Sequence, residues 1–111
     1  MSAYAVANLR NLNVGPDIAE YIRKIDATME PYQGRFLVHG GAHDVLEGTW
    51  PHALVILEFP DMERAREWYA SPGYQEILKL RTDNSDGDVI ISQGVPDNYR
   101  ATMMLEKLGL A

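Results

Sequence analysis

RFLVHGGAHDVLEGTWPHALVILEFPDMERAREWYASPGYQEILKLR, residues 35–81, holds the pattern that decides the fold. Arg35 to His39 reads as a strand, and Gly40-Gly41 lets the chain turn. Ala42 to Pro51 is a long hairpin connection, with a short extension of the strands expected around Val45-Leu46. Ala53 to Phe59 is a strand apolar on both faces: Ala53, Val55, Leu57 and Phe59 point one way, Leu54 and Ile56 the other. Pro60 and Asp61 open a helix whose stripe is Met62, Ala65, Trp68 and Tyr69. Ser71-Pro72 breaks that helix, and Ser71 reads as the N-cap of the next one, which bears Tyr74, Ile77, Leu78 and Arg81.

Working outward, a polar loop from Thr82 to Gly87 leads to a last strand, Asp88 to Gln93, with Val89, Ile90 and Ile91 again apolar on both faces. Upstream, Ala3 to Leu12 alternates loosely as a first strand, ended by the turn-forming Asn13-Val14-Gly15-Pro16. From Asp17, the positions Ile18, Tyr21, Ile22, Ile25 and Met29 form one helical stripe, which Pro31 and Gly34 stop. Downstream of Pro96, Asp97 or Asn98 is placed to cap a final helix. Its inner face would be Ala101, Met104, Leu105 and Leu108, and Gly109 would end it. That helix is expected to be docked, on its own subunit or on a partner.

The order strand, helix, strand, strand, helix, strand gives an α+β fold, the ferredoxin-like βαββαβ plait. Its antiparallel sheet runs 4-1-3-2 with both crossover helices on one face. The extra C-terminal helix is too short to cover the other face, yet two strands are apolar there. A second copy packed sheet to sheet solves the burial problem, so a homodimer is expected. Residues 1–95 form the ferredoxin-like domain and 96–111 a helical extension of it.

Composition narrows the function classes. The chain has 111 residues, enough for one core. Its 16 acidic against 10 basic side chains give a net charge of −6, the wrong sign for neutralising phosphates, so no nucleic-acid partner is expected. No basic amphipathic face offers itself to a membrane, and no leader or membrane span is legible, so a cytoplasmic protein is expected. Without cysteine there is no disulfide, thiolate metal site or cysteine nucleophile.

Several separated motifs resemble one family. GRFLVHGG, then LEG with Trp50, then LEFPDMERAREWYASPGYQEILKLR, is similar to the bacterial family of domain of unknown function 1330, over roughly Tyr4 to Gly94. The resemblance implies the dimeric α+β barrel superfamily. That superfamily includes monooxygenases that use no cofactor, muconolactone isomerases and haem enzymes. It supplies no catalytic residue, because none is established for the family as a whole.

Topology sorts the polar residues to two ends of the sheet. Arg35 and Glu58 meet at the lower end on neighbouring strands, as a structural ion pair that fixes register. The upper end collects Asn8, Arg10, His39, His43, Trp50 and His52, with Trp68, Tyr69, Tyr74 and Arg81 from the helices. Indoles, phenols, imidazoles and a guanidinium in one region suit a small planar or anionic organic molecule, with His39 or His52 as acid/base candidate and Trp50, Trp68, Tyr69 and Arg81 lining the pocket. The competing reading makes the aromatics core packing in a non-catalytic structural or interaction dimer.

No metal is expected, since His39-x3-His43 does not lie on a helix and lacks a third rigid ligand. Nor is a cofactor, because no phosphate-binding glycine loop or P-loop lysine is present, and no deep apolar cavity for haem is legible.

Overall fold

The structure, a computed structural model, describes residues 1–110. Four strands form one antiparallel sheet in the order β2-β3-β1-β4. They are β1 (Ala3–Arg10), β2 (Arg35–His39), β3 (Ala53–Phe59) and β4 (Asp86–Gln93). Helix α1 (Pro16–Met29) joins β1 to β2, and the pair α2 (Met62–Ala70) and α3 (Pro72–Thr82) joins β3 to β4. This is the ferredoxin-like plait.

Local chemistry explains the boundaries. Helix α1 opens with Pro at N1 and Asp17 in its first turn. It runs into a 3-10 turn (Glu30–Tyr32) that closes with two reverse bonds, Gln33 N to Glu30 O and Gly34 N to Met29 O. Gly34 is obligatory here, because a Cβ would lie 2.5 Å from the Phe59 ring. The Asp61 carboxylate caps α2 by accepting from Arg64 N at 2.7 Å. Ser71 serves two helices at once: its hydroxyl donates to Trp68 O at 2.6 Å and accepts from Tyr74 N at 3.3 Å.

Strand register decides what lies under the helices. Ala5 pairs with Leu57 and Ile91, and Ala7 with Val55 and Val89, so these residues share the helix-covered face. The core there is Ala3, Ala5, Ile25, Met29, Leu57, Phe59, Ala65, Trp68, Tyr74 and Ile77. On the other face Val38, Ile56, Val6 and Ile90 form one row across all four strands, with no helix over it.

Several sequence expectations need correction. Ile22 is exposed rather than part of the buried stripe of α1, since the helices cover a narrower arc than its apolar positions span. Residues around Val45-Leu46 form no strand. The last strand begins at Asp86, two residues early, because Asp86 and Gly87 still pair with Arg10 and Leu9.

The tail is a 3-10 turn (Ala101–Met103) followed by one helical turn, α4 (Met104–Lys107). Its N-cap is Arg100 with no side-chain bond, not Asp97 or Asn98. Gly109 does end it, at φ +72°, with Leu110 N bonded to Leu105 O and Gly109 N to Glu106 O. Met103, Met104, Leu105, Leu108 and Leu110 remain exposed, so the stripe does not dock on its own subunit.

Candidate functional site

Between the sheet and the helices lies a cavity of about 70 Å³, walled by Ala5, Ala7, Val55, Leu57 and Phe36 among others. Its origin is compositional. The inner face of the central strand β1 carries alanines at Ala3, Ala5 and Ala7 before Leu9, and small side chains leave space that larger ones would fill. Trp68 closes one side; Tyr21, Tyr74, Arg81 and His39 bring the polar atoms.

His39 reaches this cavity because β2 is irregular. Arg35 pairs with Glu58 and Phe36 with Leu57, but Val38 pairs with Ile56 and His39 with Val55. Leu37 is therefore an extra residue, and it reverses the alternation downstream. Phe36 and His39 consequently share the helix-covered face, and their rings stack at 4.4 Å. The imidazole itself is exposed, at the cavity mouth.

Opposite it, the Tyr21 and Tyr74 hydroxyls are 2.7 Å apart, joining α1 to α3. Tyr74 and Arg81 are seven residues apart on α3, two turns along one face. The Arg81 guanidinium lies 5.9 Å from the centre of the Tyr21 ring. Burial above all, and then the neighbouring Tyr74, push the Tyr21 phenol well above its ordinary pKa, so it stays protonated and able to donate. Burial opposes the charge on Arg81, but the flanking Tyr74 and Tyr21 hydroxyls outweigh it and hold the guanidinium's pKa above its usual value.

The sequence candidates fall into separate places. His39, Trp68 and Arg81 come together at the cavity. Trp68 is 2% exposed, and its indole N–H donates to Thr28 Oγ1 at 3.0 Å, so it is also a core residue with its polar atom satisfied. Tyr69 lies outside the cavity, in a shallow depression with Met62, Arg66 and Ile90. Trp50 is on the exposed hairpin connection, edge-on to His52 at 5.8 Å. His52 Nδ1 is buried with no hydrogen-bond partner among the described residues.

Arg10 pairs across the open face with Asp88 at 3.4 Å. At the other end Arg35 Nη2 is 2.7 Å from Glu58 Oε1, and this contact holds the Glu58 carboxyl below its usual range. Among the described residues, no three His, Asp or Glu side chains cluster as metal ligands would.

Tyr21 is the residue that sequence reasoning left out of the upper-end cluster, where Tyr74 was already placed. A signal was present: each is a phenol on a core-facing helical stripe, and a buried phenol needs a partner for its O–H.

Fold and cavity together define a ferredoxin-like α+β protein with a small apolar chamber between sheet and helices. The chain belongs to the family described as domain of unknown function (DUF1330), which it matches over residues 2–95. A comparison with curated proteins returns no significant match.

Among solved structures it is similar to RPA0582, a protein of unknown function from Rhodopseudomonas palustris. The TM-score is 0.62 at 22% identity, over 86% of this chain and 83% of that one. It also resembles a single-site variant of SnoaB, a cofactor-independent oxygenase from Streptomyces nogalater, with TM-score 0.58 at 10% identity over 89% and 98%. A dimeric ferredoxin-like protein of unknown function from Thermobifida fusca scores 0.56 at 17% identity over 85% and 92%. At these identities the likeness is one of fold. No helix among the described residues is long and apolar enough to cross a membrane.

Proposed function

We propose that the protein is a homodimer, each subunit of which binds a small organic molecule in the chamber between sheet and helices. The observation that carries the reading is the chamber itself. It is an apolar void under the alanines of β1, with phenol, guanidinium and imidazole groups at its wall and mouth. Its enclosed volume of about 70 Å³ is well below a drug-sized pocket, so the chamber takes only a small part of a ligand.

His39 is the acid/base group of this reading. It stands at the mouth, exposed to solvent for proton exchange. Taking a proton from an acidic carbon and returning it at another gives an isomerisation. Delivering the carbanion's electrons to dioxygen gives an oxygenation of the kind the description of SnoaB names. The dimer is supported by the uncovered row Val38, Ile56, Val6 and Ile90, and by the Thermobifida fusca protein's description as dimeric.

A packing role is favoured by one observation, the fully satisfied and buried indole of Trp68. The two readings separate on Ala7→Leu and His39→Ala. On the binding reading, thermal-shift screening of small metabolites finds a stabilising compound. Ala7→Leu abolishes that response by filling the chamber, and His39→Ala weakens it with the dimer and unliganded melting temperature nearly unchanged. A His39→Ala protein whose main defect is a lower melting temperature would make the cluster structural.

A further inference from the structure

We infer that the C-terminal tail is an arm exchanged between subunits: residues 96–110 of one copy seat on the hairpin connection between β2 and β3 of a second copy of this chain. This rests on the dimer proposed above and adds the segments that its two subunits trade.

Two stretches of the chain are left uncovered in the same way. Every described residue from Arg100 onward is exposed, and so is every residue from His39 to Pro51. Both stretches are apolar. The tail shows Met103, Met104, Leu105 and Leu108 to water, and the hairpin shows Val45, Leu46 and Trp50, which line one shallow depression with Leu54. Apolar side chains gathered in this way on a surface mark a contact site. The tail is nonetheless shaped, by its 3-10 turn, its helical turn and the closing bond from Leu110 N to Leu105 O. Among the described residues, no backbone hydrogen bond or ion pair ties 96–110 to the rest of its own subunit. The radius of gyration is 16.0 Å, against about 13 Å for a compact domain of about 100 residues, as expected of segments that stand away from the core.

Within one subunit the two stretches leave the sheet at opposite corners. The tail follows Gln93, which pairs with Ala3 at the start of β1. The hairpin follows His39, whose partner Val55 pairs with Ala7 towards the other end. β4 and β2 are also the two outer strands. With strands about 4.8 Å apart and about 3.4 Å per residue, corner to corner is roughly 30 Å. A two-fold axis between two stacked open faces, perpendicular to the line joining those corners, carries each corner onto the other. Each tail then meets the partner's hairpin, continuing the interface begun by the row Val38, Ile56, Val6 and Ile90. An unrelated partner would have to fit both stretches, whereas a second copy supplies the missing complement of each.

Charge agrees with this pairing. The tail offers Arg100 and Lys107 beside Asp97 and Glu106, while the hairpin carries the acids Asp44 and Glu47. None of these six takes part in an ion pair among the described residues. Exposed pairs add little affinity, so the apolar contact holds the arm and the charges orient it.

The chain contains no cysteine, so introduced thiols report contact without background. The full-length double variant Leu46→Cys with Leu105→Cys, treated at micromolar concentration with a short bismaleimide, should run as a covalent dimer on a denaturing gel. Neither single variant should cross-link. Leu105→Asp should raise the dimer dissociation constant by about tenfold or more in sedimentation, with the far-ultraviolet circular dichroism unchanged. A double variant that links only within one chain, or not at all although the protein sediments as a dimer, overturns the exchange and leaves the sheet-to-sheet dimer standing. An unchanged dissociation constant in Leu105→Asp does the same. A wild-type chain that is monomeric at micromolar concentration overturns the dimer as well.

Discussion

The two faces of this sheet are built from the same kind of side chain and meet different fates. On the helix-covered face Leu57 is 4% exposed and Phe59 fully buried, with Trp68 and Tyr74 packed above them. On the opposite face, Ile90 is 59% exposed although it occupies the same strand as the half-buried Ile91. Strand alternation explains which residue goes where. It does not explain why both sides are apolar. The covered side is apolar because a helix layer completes it within one chain. The open side has no layer of its own chain over it, which is what the proposed dimer would complete.

Identical disruptions on the two faces should therefore be read by different instruments. The largest effect belongs to the covered face: Phe59→Ala removes a fully buried ring that contacts Trp68 at 5.2 Å between centroids. It should lower unfolding stability by about 3–5 kcal/mol, seen in urea melts. A loss under 1 kcal/mol would show that the two faces are not distinct in this way.

Next comes Ile90→Asp, which places a charge in the middle of the open apolar row. Self-association should weaken by about 2 kcal/mol or more, so that sedimentation shows a monomer at micromolar protein. Far-ultraviolet circular dichroism should stay unchanged. A wild-type chain that already sediments as a monomer, or a variant that remains dimeric, would remove the reason offered for the second apolar face.

The third test sharpens what is special about the covered face, its buried phenols. Folded Tyr21 holds its proton more tightly than the unfolded chain does. Stability from this group is thus complete below the unfolded value near pH 10 and is lost as pH rises towards the folded value. The decline should be at most about 1.4 kcal/mol per pH unit. Tyr21→Phe cannot titrate and should flatten the alkaline side of the stability profile. An unchanged slope in Tyr21→Phe would mean that other groups dominate there.

How much of this was legible in the sequence differs sharply between fold and site. The boundaries of β2 and β3 and the sheet order were all readable, because each follows from a local period or a turn residue. The candidate site was readable in part. His39, Trp68 and Arg81 do meet at one chamber, while Trp50, His52 and Tyr69 lie elsewhere. Proximity along a hairpin does not specify direction. Trp50 and His52 share the upper end with His39, but the long connection carries them away from the helices.

What the sequence determined by itself is therefore the strands and helices of the plait, the caps at Asp61 and Ser71 and the presence of two apolar faces on one sheet. Those are short-range properties, written in alternation, in the 3.6-residue stripe and in Gly34, Asp61, Ser71 and Gly109. What only the tertiary structure decided is which polar tips face one another. The Tyr21–Tyr74 bond spans 53 positions of sequence. The entry of His39 into the same space depends on one extra residue in β2 that no turn signal announces. Periodicity tells a side chain which layer it faces. Only packing between layers settles what it meets there, because helix placement and strand register are fixed jointly by contacts far apart in the chain.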